Sequence, residues 1–264
     1  MVRLIFERRQ AAGVVRVMLV AAFAVLLQVN AVYAACTLQS AYDLTVMPEA
    51  LVFERASGAA RRIEMRNGAL SDRGRAVTVN AADRERLTRF ERTVRALVPH
   101  VRRIGLRAVD LAAAAIREEA ALQSPRSAAH PQLAARLDAR ARDLRARIAK
   151  SNTSRDWRGP AFDRYAAEAL GDVLPLVGGD IAQTALEATL RGDFNTAARM
   201  AGRGAELRAA LEKRVRTKLV ALQPAMDALC PDLQSLDNLE AAVTAQLGDG
   251  TRLDVLQVGG DAAK

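Results

Sequence analysis

The residues of this chain that are suited to chemistry are few, and their spacing does not form a familiar active site. His100 and His130 are the only histidines, and neither has a second histidine or a cysteine at the spacing of a metal site. No Gly-x-Ser-x-Gly motif is present, and Gly202-Arg203-Gly204 lacks the preceding strand and the lysine of a phosphate-binding loop. The adjacent Glu118 and Glu119 predict a solvated helix face. We therefore predict no catalytic residue, no metal ligand and no cofactor-binding residue.

Cys36 and Cys230 are the only cysteines, and they lie 194 positions apart. A redox centre would require neighbouring cysteines with a lowered pKa, so these two residues favour a structural disulfide. Closing a loop of that length stabilises a fold by about 5 kcal/mol at most. Such a bond forms in an oxidising compartment, so the prediction depends on where the chain works.

The first 35 residues have the composition of a secretory signal peptide. Arginines are followed by an apolar run over residues 17–27, and then by small residues. Val32 and Ala34 occupy the positions three and one residues before a cleavage site, which would leave Ala35 as the first residue of the exported protein. The apolar run is shorter than the roughly 20 residues of a membrane-spanning helix. We therefore assign residues 1–35 to the signal segment and predict no transmembrane segment after cleavage.

Lipoprotein anchoring at Cys36 is an alternative to the soluble form. Bacterial lipoproteins are cut directly before a cysteine that then carries the lipid. Their pattern has leucine or a similar aliphatic residue three positions upstream, where this chain has Tyr33. Lipidation would leave Cys230 unpaired, so the cysteine count favours the disulfide. The sequence leaves open which of the two forms Cys36 adopts.

The chain carries a formal net charge of +9, almost all of it from arginine. The signal segment accounts for +3, which leaves +6 on the remainder. A basic surface could bind an anionic partner such as lipid headgroups. The arginines that we predict for such a surface belong to two helices and are Arg92, Arg95, Arg102, Arg103, Arg136 and Arg140. Acidic residues are interleaved with them and few aromatic residues accompany them, which disfavours nucleic acid as the partner.

Residues 36–80 alternate between apolar and polar, as at Tyr42, Leu44 and Val46, and this period of two indicates short strands. Turn residues separate the runs, and Asn67-Gly68 supplies the positive φ of a tight hairpin. We predict a small antiparallel β-meander of three or four strands. Because so few short strands are rarely stable alone, another element must cover one face of the sheet.

Residues 81–247 have helical periodicity and predict a helical body that forms one domain with the meander. The first helix starts at the N-cap Asn80 and carries an apolar stripe from Leu87 to Ala115. Pro99 lies inside this helix, where we expect a kink. Further helices are expected after Pro131, over residues 160–191, from the N-cap Asp193 to Cys230-Pro231, and over residues 232–247. We expect residues 248–264 to be a mobile tail. The fold class is α+β, a small N-terminal meander packed on long amphipathic helices.

Three segments carry a resemblance to a known family: Tyr42-Asp43-Leu44-Thr45-Val46 after the first cysteine, Val77-Thr78-Val79-Asn80 before the first helix, and residues 229–237 around the second cysteine. The chain resembles the YggN-like family of uncharacterised proteobacterial periplasmic proteins, weakly over residues 124–195. The resemblance implies an exported domain of unknown function, with no catalytic residue, cofactor or substrate to transfer. The helices of that family are often acidic, whereas those of this chain are basic. A surface charge that changes sign within a family argues against a functional basic patch.

The sequence favours a non-enzymatic binding or structural role in the cell envelope, with a protein or an anionic lipid contacting the amphipathic helices. The alternative is a hydrolase that acts on envelope material without a recognisable motif. It would require a deep pocket lined with convergent carboxylates or arginine pairs. The activity, the partner, the oligomeric state and motion at Pro99 are not readable from the sequence.

Overall fold

The structure is a computed structural model that describes residues 36–55, 61–123, 131–178 and 181–259. The predicted signal segment and the break over residues 124–130 lie outside the described residues. The strands are β1 (Thr37–Gln39), β2 (Tyr42–Val46), β3 (Leu51–Arg55), β4 (Arg62–Arg66), β5 (Ala69–Asp72), β6 (Arg75–Val77) and β7 (Gln257–Gly259). The helices are α1 (Ala81–Gln123), α2 (Pro131–Lys150), α3 (Pro160–Gly178), α4 (Ile181–Leu190), α5 (Phe194–Leu219), α6 (Gln223–Asp227) and α7 (Cys230–Ala241).

Strands β2 to β6 form an antiparallel meander in which each strand pairs with the next along the chain. Asn67 and Gly68 connect β4 to β5 with φ angles of 51° and 77°. Arg73 and Gly74 connect β5 to β6 with φ angles of 52° and 78°. Two-residue turns with positive φ at both positions match the twist of the flanking strands. The predicted meander is therefore confirmed, with five strands in place of three or four.

One face of the meander packs against the first part of α1. Phe53 lies opposite Ile63 in the register of β3 and β4, and both side chains are buried. Leu87 and Phe90 of α1 belong to the same apolar cluster, and the rings of Phe53 and Phe90 are 6.3 Å apart. Helix α1 thus supplies the cover that the short strands require, and the predicted α+β fold is confirmed.

Helix α1 begins as predicted, because Asn80 Oδ1 accepts a hydrogen bond from the backbone N–H of Asp83 at 2.7 Å. The helix runs through Pro99 without interruption; the kink stays a prediction. The predicted apolar stripe is buried at Leu97 but fails at Val101, which is exposed. Val101 lies beyond the last α1 residue of the apolar cluster under the sheet, so no strand covers it.

The end of the helical body differs from the prediction. Helix α5, which Asp193 caps, ends at Leu219 and not at Cys230. Pro231 instead lies in the first turn of α7, where a backbone N–H would have no intrahelical partner, so proline is tolerated. Helix α7 ends at Ala241, short of the predicted residue 247.

Residues 248–259 are a packed segment, which corrects the expectation of a mobile tail. Leu253 and Val255 are buried in the apolar cluster under the sheet. Strand β7 pairs antiparallel with β1, so that Leu38 lies opposite Val258. The apolar residues of this segment have partners far away in the sequence, which its local glycine content does not reveal. Residues 260–264 lie outside the described residues.

The chain separates into two compact units. The sheet unit contains residues 36–104, 150–158 and 223–259, and the helical unit contains Gly105–Ala149 and Gly159–Leu222. The core of the helical unit is an apolar cluster from α1, α2, α3 and α5 that includes Ala120, Leu133, Leu137, Val173, Val177, Leu207 and Leu211. Among the described residues, no helix is both long enough and apolar enough to cross a membrane.

Candidate functional site

The two cysteines form the predicted disulfide. Cys36 and Cys230 are joined with a Cα–Cα distance of 5.7 Å, and both are buried. The bond links the residue before β1 to the first residue of α7 within the sheet unit. Neither sulfur is a free thiol, so the chemistry of this pair is structural.

The arginines predicted as a basic surface have different environments. Arg92, Arg103 and Arg136 are exposed. The other three are engaged within their units: Arg95 donates to the carbonyl of Met47, Arg102 donates to the carbonyl of Ser151, and Arg140 pairs with Asp172. Four of the six belong to the sheet unit, and Arg136 and Arg140 belong to the helical unit. That they form one anionic-ligand surface stays a prediction.

The remaining candidates for chemistry do not converge. His100 is exposed on α1, and His130 lies outside the described residues. Within the described part of the chain, no group of three or more His, Cys, Asp or Glu residues could hold a metal ion. The expectation that Glu118 and Glu119 form a solvated face is wrong for Glu119, which is buried and accepts from Arg214 Nε at 2.6 Å.

The sheet unit contains a buried ion-pair network that the sequence did not reveal. Arg61 and Asp72 are both buried, and the guanidinium contacts the two carboxylate oxygens at 3.2 and 3.0 Å. Arg61 also donates to Asp249 at 2.9 and 3.1 Å, and Asp72 accepts from the backbone N–H of Gly248 at 3.1 Å. These contacts fix strand β5 to the turn after residue 247.

Asp83, in the first turn of α1, is a second buried carboxylate of the sheet unit. It accepts hydrogen bonds from the N–H of Thr244 at 3.1 Å, the hydroxyl of Thr244 at 2.7 Å and the N–H of Ala245 at 3.1 Å, and Arg86 pairs with it at 2.8 Å. Burial alone would raise the pKa of Asp83, but these donors outweigh it and lower the pKa. The carboxylate is charged and fully engaged, which is a structural arrangement.

Glu240 of α7 is a third buried carboxylate, and burial raises its pKa to about 7. Hydrogen bonds from the backbone N–H groups of Val255 and Leu256 act in the opposite direction, and the nearby Asp254 and Asp237 add to the rise. A shifted carboxylate is a recognised mark of a functional site. Here both oxygens are occupied by backbone donors in a closed core, so Glu240 holds the segment after residue 252 in place.

The turn between α4 and α5 has a fixed geometry that follows from local sequence. Gly192 has a φ of 73°, and its N–H and that of Asp193 donate to the carbonyls of Thr189 and Ala188 at 3.1 and 2.8 Å. This is the Schellman arrangement, which favours glycine. The Asp193 carboxylate then accepts from the N–H of Thr196 at 3.0 Å and caps α5, as predicted. The two helices therefore form a tight hairpin.

Three large apolar side chains are exposed at the closed end of this hairpin. Leu186, Leu190 and Phe194 are 60%, 79% and 71% exposed. Leu186 and Leu190 share one face of α4 because they are four residues apart, and Phe194 begins α5 directly after the turn. We call these three residues the apolar tip. By contrast, Leu207 and Leu211 of the same hairpin are buried in the core of the helical unit.

Three exposed arginines, Arg191, Arg199 and Arg203, follow the apolar tip along the hairpin. We call them the tip arginines. Within residues 36–55, 61–123, 131–178 and 181–259, no carboxylate forms a salt bridge with any of them. Further along α5, by contrast, Arg214 and Lys218 form salt bridges with carboxylates of α1. Among the described residues of this helix pair, the three basic residues nearest the apolar tip therefore form no salt bridge.

The sequence predicts a helix after the N-cap Asp193, but it attaches no function to Leu186, Leu190 or Phe194. The spacing of apolar residues identifies a helix face, but it does not show whether another element covers that face. The signal that could have found the tip is the Arg191-Gly192-Asp193 turn, which places a glycine C-cap and an aspartate N-cap between two large apolar residues.

The described residues define a disulfide-linked α+β protein with an exposed apolar hairpin. The chain belongs to the family of proteins of unknown function designated DUF2884, which matches residues 36–256. No curated protein and no solved structure matches the chain.

Proposed function

We propose that this chain is an exported protein of the bacterial cell envelope whose function is to bind a partner through the apolar tip. The observation that carries the proposal is the exposure of Leu186, Leu190 and Phe194 together at one end of the hairpin. Single exposed apolar residues are ordinary, whereas clustered ones mark interaction sites. Burial of each such side chain against a partner is worth about 1.5–3 kcal/mol.

The periplasmic location is supported by the composition of residues 1–35 and by the Cys36–Cys230 disulfide, because disulfides persist in oxidising compartments. The YggN-like resemblance, which is finer than the family match, agrees with the same location. The buried carboxylates of the sheet unit, Asp72, Asp83 and Glu240, accept hydrogen bonds from internal donors and hold the fold together.

Site-specific photocrosslinking in intact cells tests the proposal. A photoreactive amino acid replaces Leu190 in one variant and Val220 in a matched control, because Val220 is similarly exposed on the helical unit but lies outside the tip. We expect adducts from position 190 and few from position 220. The additional changes Leu186→Ser and Phe194→Ser should remove those adducts. Equal yields of adducts from the two positions would contradict a binding role for the tip.

A further inference from the structure

We infer that the ligand of the apolar tip is the surface of a bilayer that contains anionic phospholipid, an inference that rests on the proposed function. Elements that bind at the membrane interface combine exposed Leu or Phe with nearby Lys or Arg. The α4–α5 hairpin presents both, as the apolar tip and the tip arginines. Anionic headgroups would pair with the tip arginines. The acyl region of the bilayer would take up the two leucines and the phenylalanine of the apolar tip.

Several other arginines of the helical unit contact partners inside that unit, and this distinguishes them from the tip arginines. In α2, Arg140 and Arg145 pair with Asp172 and Asp110, and the Arg147 guanidinium lies 4.1 Å from the centre of the Tyr165 ring. In the second half of α5, Arg214 and Lys218 pair with glutamates. These basic residues already have partners inside the helical unit. The tip arginines form no salt bridge among the described residues. Arg199 donates to the Thr196 hydroxyl at 2.7 Å, and Arg191 and Arg199 lie near the Asp193 carboxylate, but all three side chains are exposed and can reach an external anion.

The distances along the hairpin fit a shallow insertion. With a rise of 1.5 Å per residue, Arg199 and Arg203 lie about 7.5 Å and about 13.5 Å along α5 from Phe194. Amphipathic elements enter the headgroup and acyl boundary by roughly 5–10 Å. Apolar side chains at the tip would therefore reach the acyl boundary while these two arginines stay at the level of the phosphates. Arg191 is long enough to extend its charged head to the same level.

One acidic residue at the turn, Asp193, offsets part of this charge. Its carboxylate caps α5, and its hydrogen bonds with Thr196, together with the nearby charges of Arg199 and Arg191, lower its pKa. Glu187 is on α4 and has an interaction of its own within the chain. The excess of basic residues continues along α5 as a whole, which has seven basic and two acidic residues.

That excess also argues against a second copy of this chain as the ligand. A symmetric dimer formed by two hairpins would place the same basic helix on both sides of the interface. Like charges brought together in this way oppose association. A bilayer with anionic headgroups provides the complementary charge at the tip arginines, which a copy of α5 does not.

Flotation with lipid vesicles tests the inference on the mature, disulfide-bonded protein. Vesicles of phosphatidylethanolamine with phosphatidylglycerol are compared with neutral vesicles of phosphatidylcholine. We expect binding to the anionic vesicles only, and weaker binding at high salt. The triple change Leu186→Ser, Leu190→Ser and Phe194→Ser should reduce the bound fraction by about tenfold or more. Its matched control is Leu122→Ser with Val220→Ser, two exposed apolar residues outside the tip, which should bind as the unchanged protein does.

The charge is tested with a second pair of variants. Changing Arg191, Arg199 and Arg203 to Gln should weaken binding by about fivefold for each arginine. The control changes Arg92, Arg103 and Arg136 to Gln, which removes the same charge from exposed positions elsewhere. If the control loses binding and the tip variants keep it, the predicted basic surface and not the tip binds the membrane, and the inference fails.

The vesicle experiment tests the lipid ligand, and the crosslinking experiment tests the binding function, so the two claims can be contradicted separately. No vesicle binding together with tip-dependent protein adducts at position 190 would overturn the lipid inference and leave the proposed binding function standing, with a protein as the partner. Vesicle binding that is indifferent to the tip serines would also overturn the inference. Loss of both vesicle binding and adducts in the unchanged protein would overturn the function itself.

Discussion

Glu240 shows how one buried carboxylate gives the sheet unit a stability that depends on pH. Its pKa is about 7 in the folded protein and about 4.5 in an exposed glutamate. Because the folded state binds the proton more tightly, its contribution is fully present below about pH 4.5 and is lost as the pH rises through 7. The difference corresponds to a free energy of unfolding on the order of 3 kcal/mol.

We predict that Glu240→Gln removes this loss of stability between about pH 4.5 and about pH 7. The amide stays neutral, so the unfolding free energy of the variant should change little over that range. Trp157, the only tryptophan, lies in the sheet unit and reports its unfolding by fluorescence. The control is Glu85→Gln, since Glu85 is exposed beside Arg89. Parallel pH profiles for unchanged protein and Glu240→Gln would contradict the assignment.

Arg61 and Arg62 are neighbours in the chain with opposite environments. The side chain of Arg61 is buried with Asp72, whereas that of Arg62 is 48% exposed and pairs with Glu54 and Glu64. Arg61→Ala would leave the Asp72 charge buried without its partner, and we predict a loss of about 3–5 kcal/mol in unfolding free energy. Arg62→Ala should cost less than about 1 kcal/mol. Denaturant titration of both variants checks this, and similar losses would refute the buried network.

At the scale of elements, the two tight turns of the meander predict different tolerances to a side chain. Gly68 and Gly74 have nearly the same positive φ, 77° and 78°. A Cβ on Gly68 would lie 2.5 Å from the carbonyl oxygen of Arg84 in α1, whereas a Cβ on Gly74 would meet nothing within 4 Å. The meander approaches α1 closely at the first turn, and Glu91 reinforces this approach by accepting from the Gly68 N–H at 2.8 Å.

We predict that Gly74→Ala costs about 1–2 kcal/mol, the penalty of the left-handed conformation for a residue with a Cβ. Gly68→Ala should cost clearly more, because the strand turn must also move away from the α1 backbone. Thermal unfolding of the two variants, followed at Trp157, provides the comparison. Equal destabilisation would mean that the turn and α1 separate without cost.

The elements that sequence predicted well are those set by neighbouring residues. Asn80 and Asp193 are helix caps, and Asn67-Gly68 is a hairpin turn, because each side chain or φ angle acts within three residues. The elements that it missed depend on distant partners. The segment after residue 247 is packed because Arg61 and Glu240 hold it. Leu190 is exposed because no element among the described residues covers it. The local sequence pattern predicts neither fact.

At the scale of the whole molecule, one mass measurement tests both the disulfide and the predicted export. The intact mass of the exported protein, before and after reduction and alkylation, should show a chain that starts at Ala35 with both cysteines protected until reduction. That result follows from the Cys36–Cys230 bond and from the predicted cleavage after Ala34. A chain that starts at Cys36 with added acyl mass would instead identify a lipoprotein and contradict the soluble form.

The sheet unit is assembled from both ends of the described chain, and this has a consequence for the order of folding. Strand β1 pairs with β7, and the core under the meander includes Leu253 and Val255. A ribosome makes the N-terminal strands first, but their core stays incomplete until nearly the last described residues have been synthesised. The sheet unit therefore completes its core only when residues 253–259 have been synthesised.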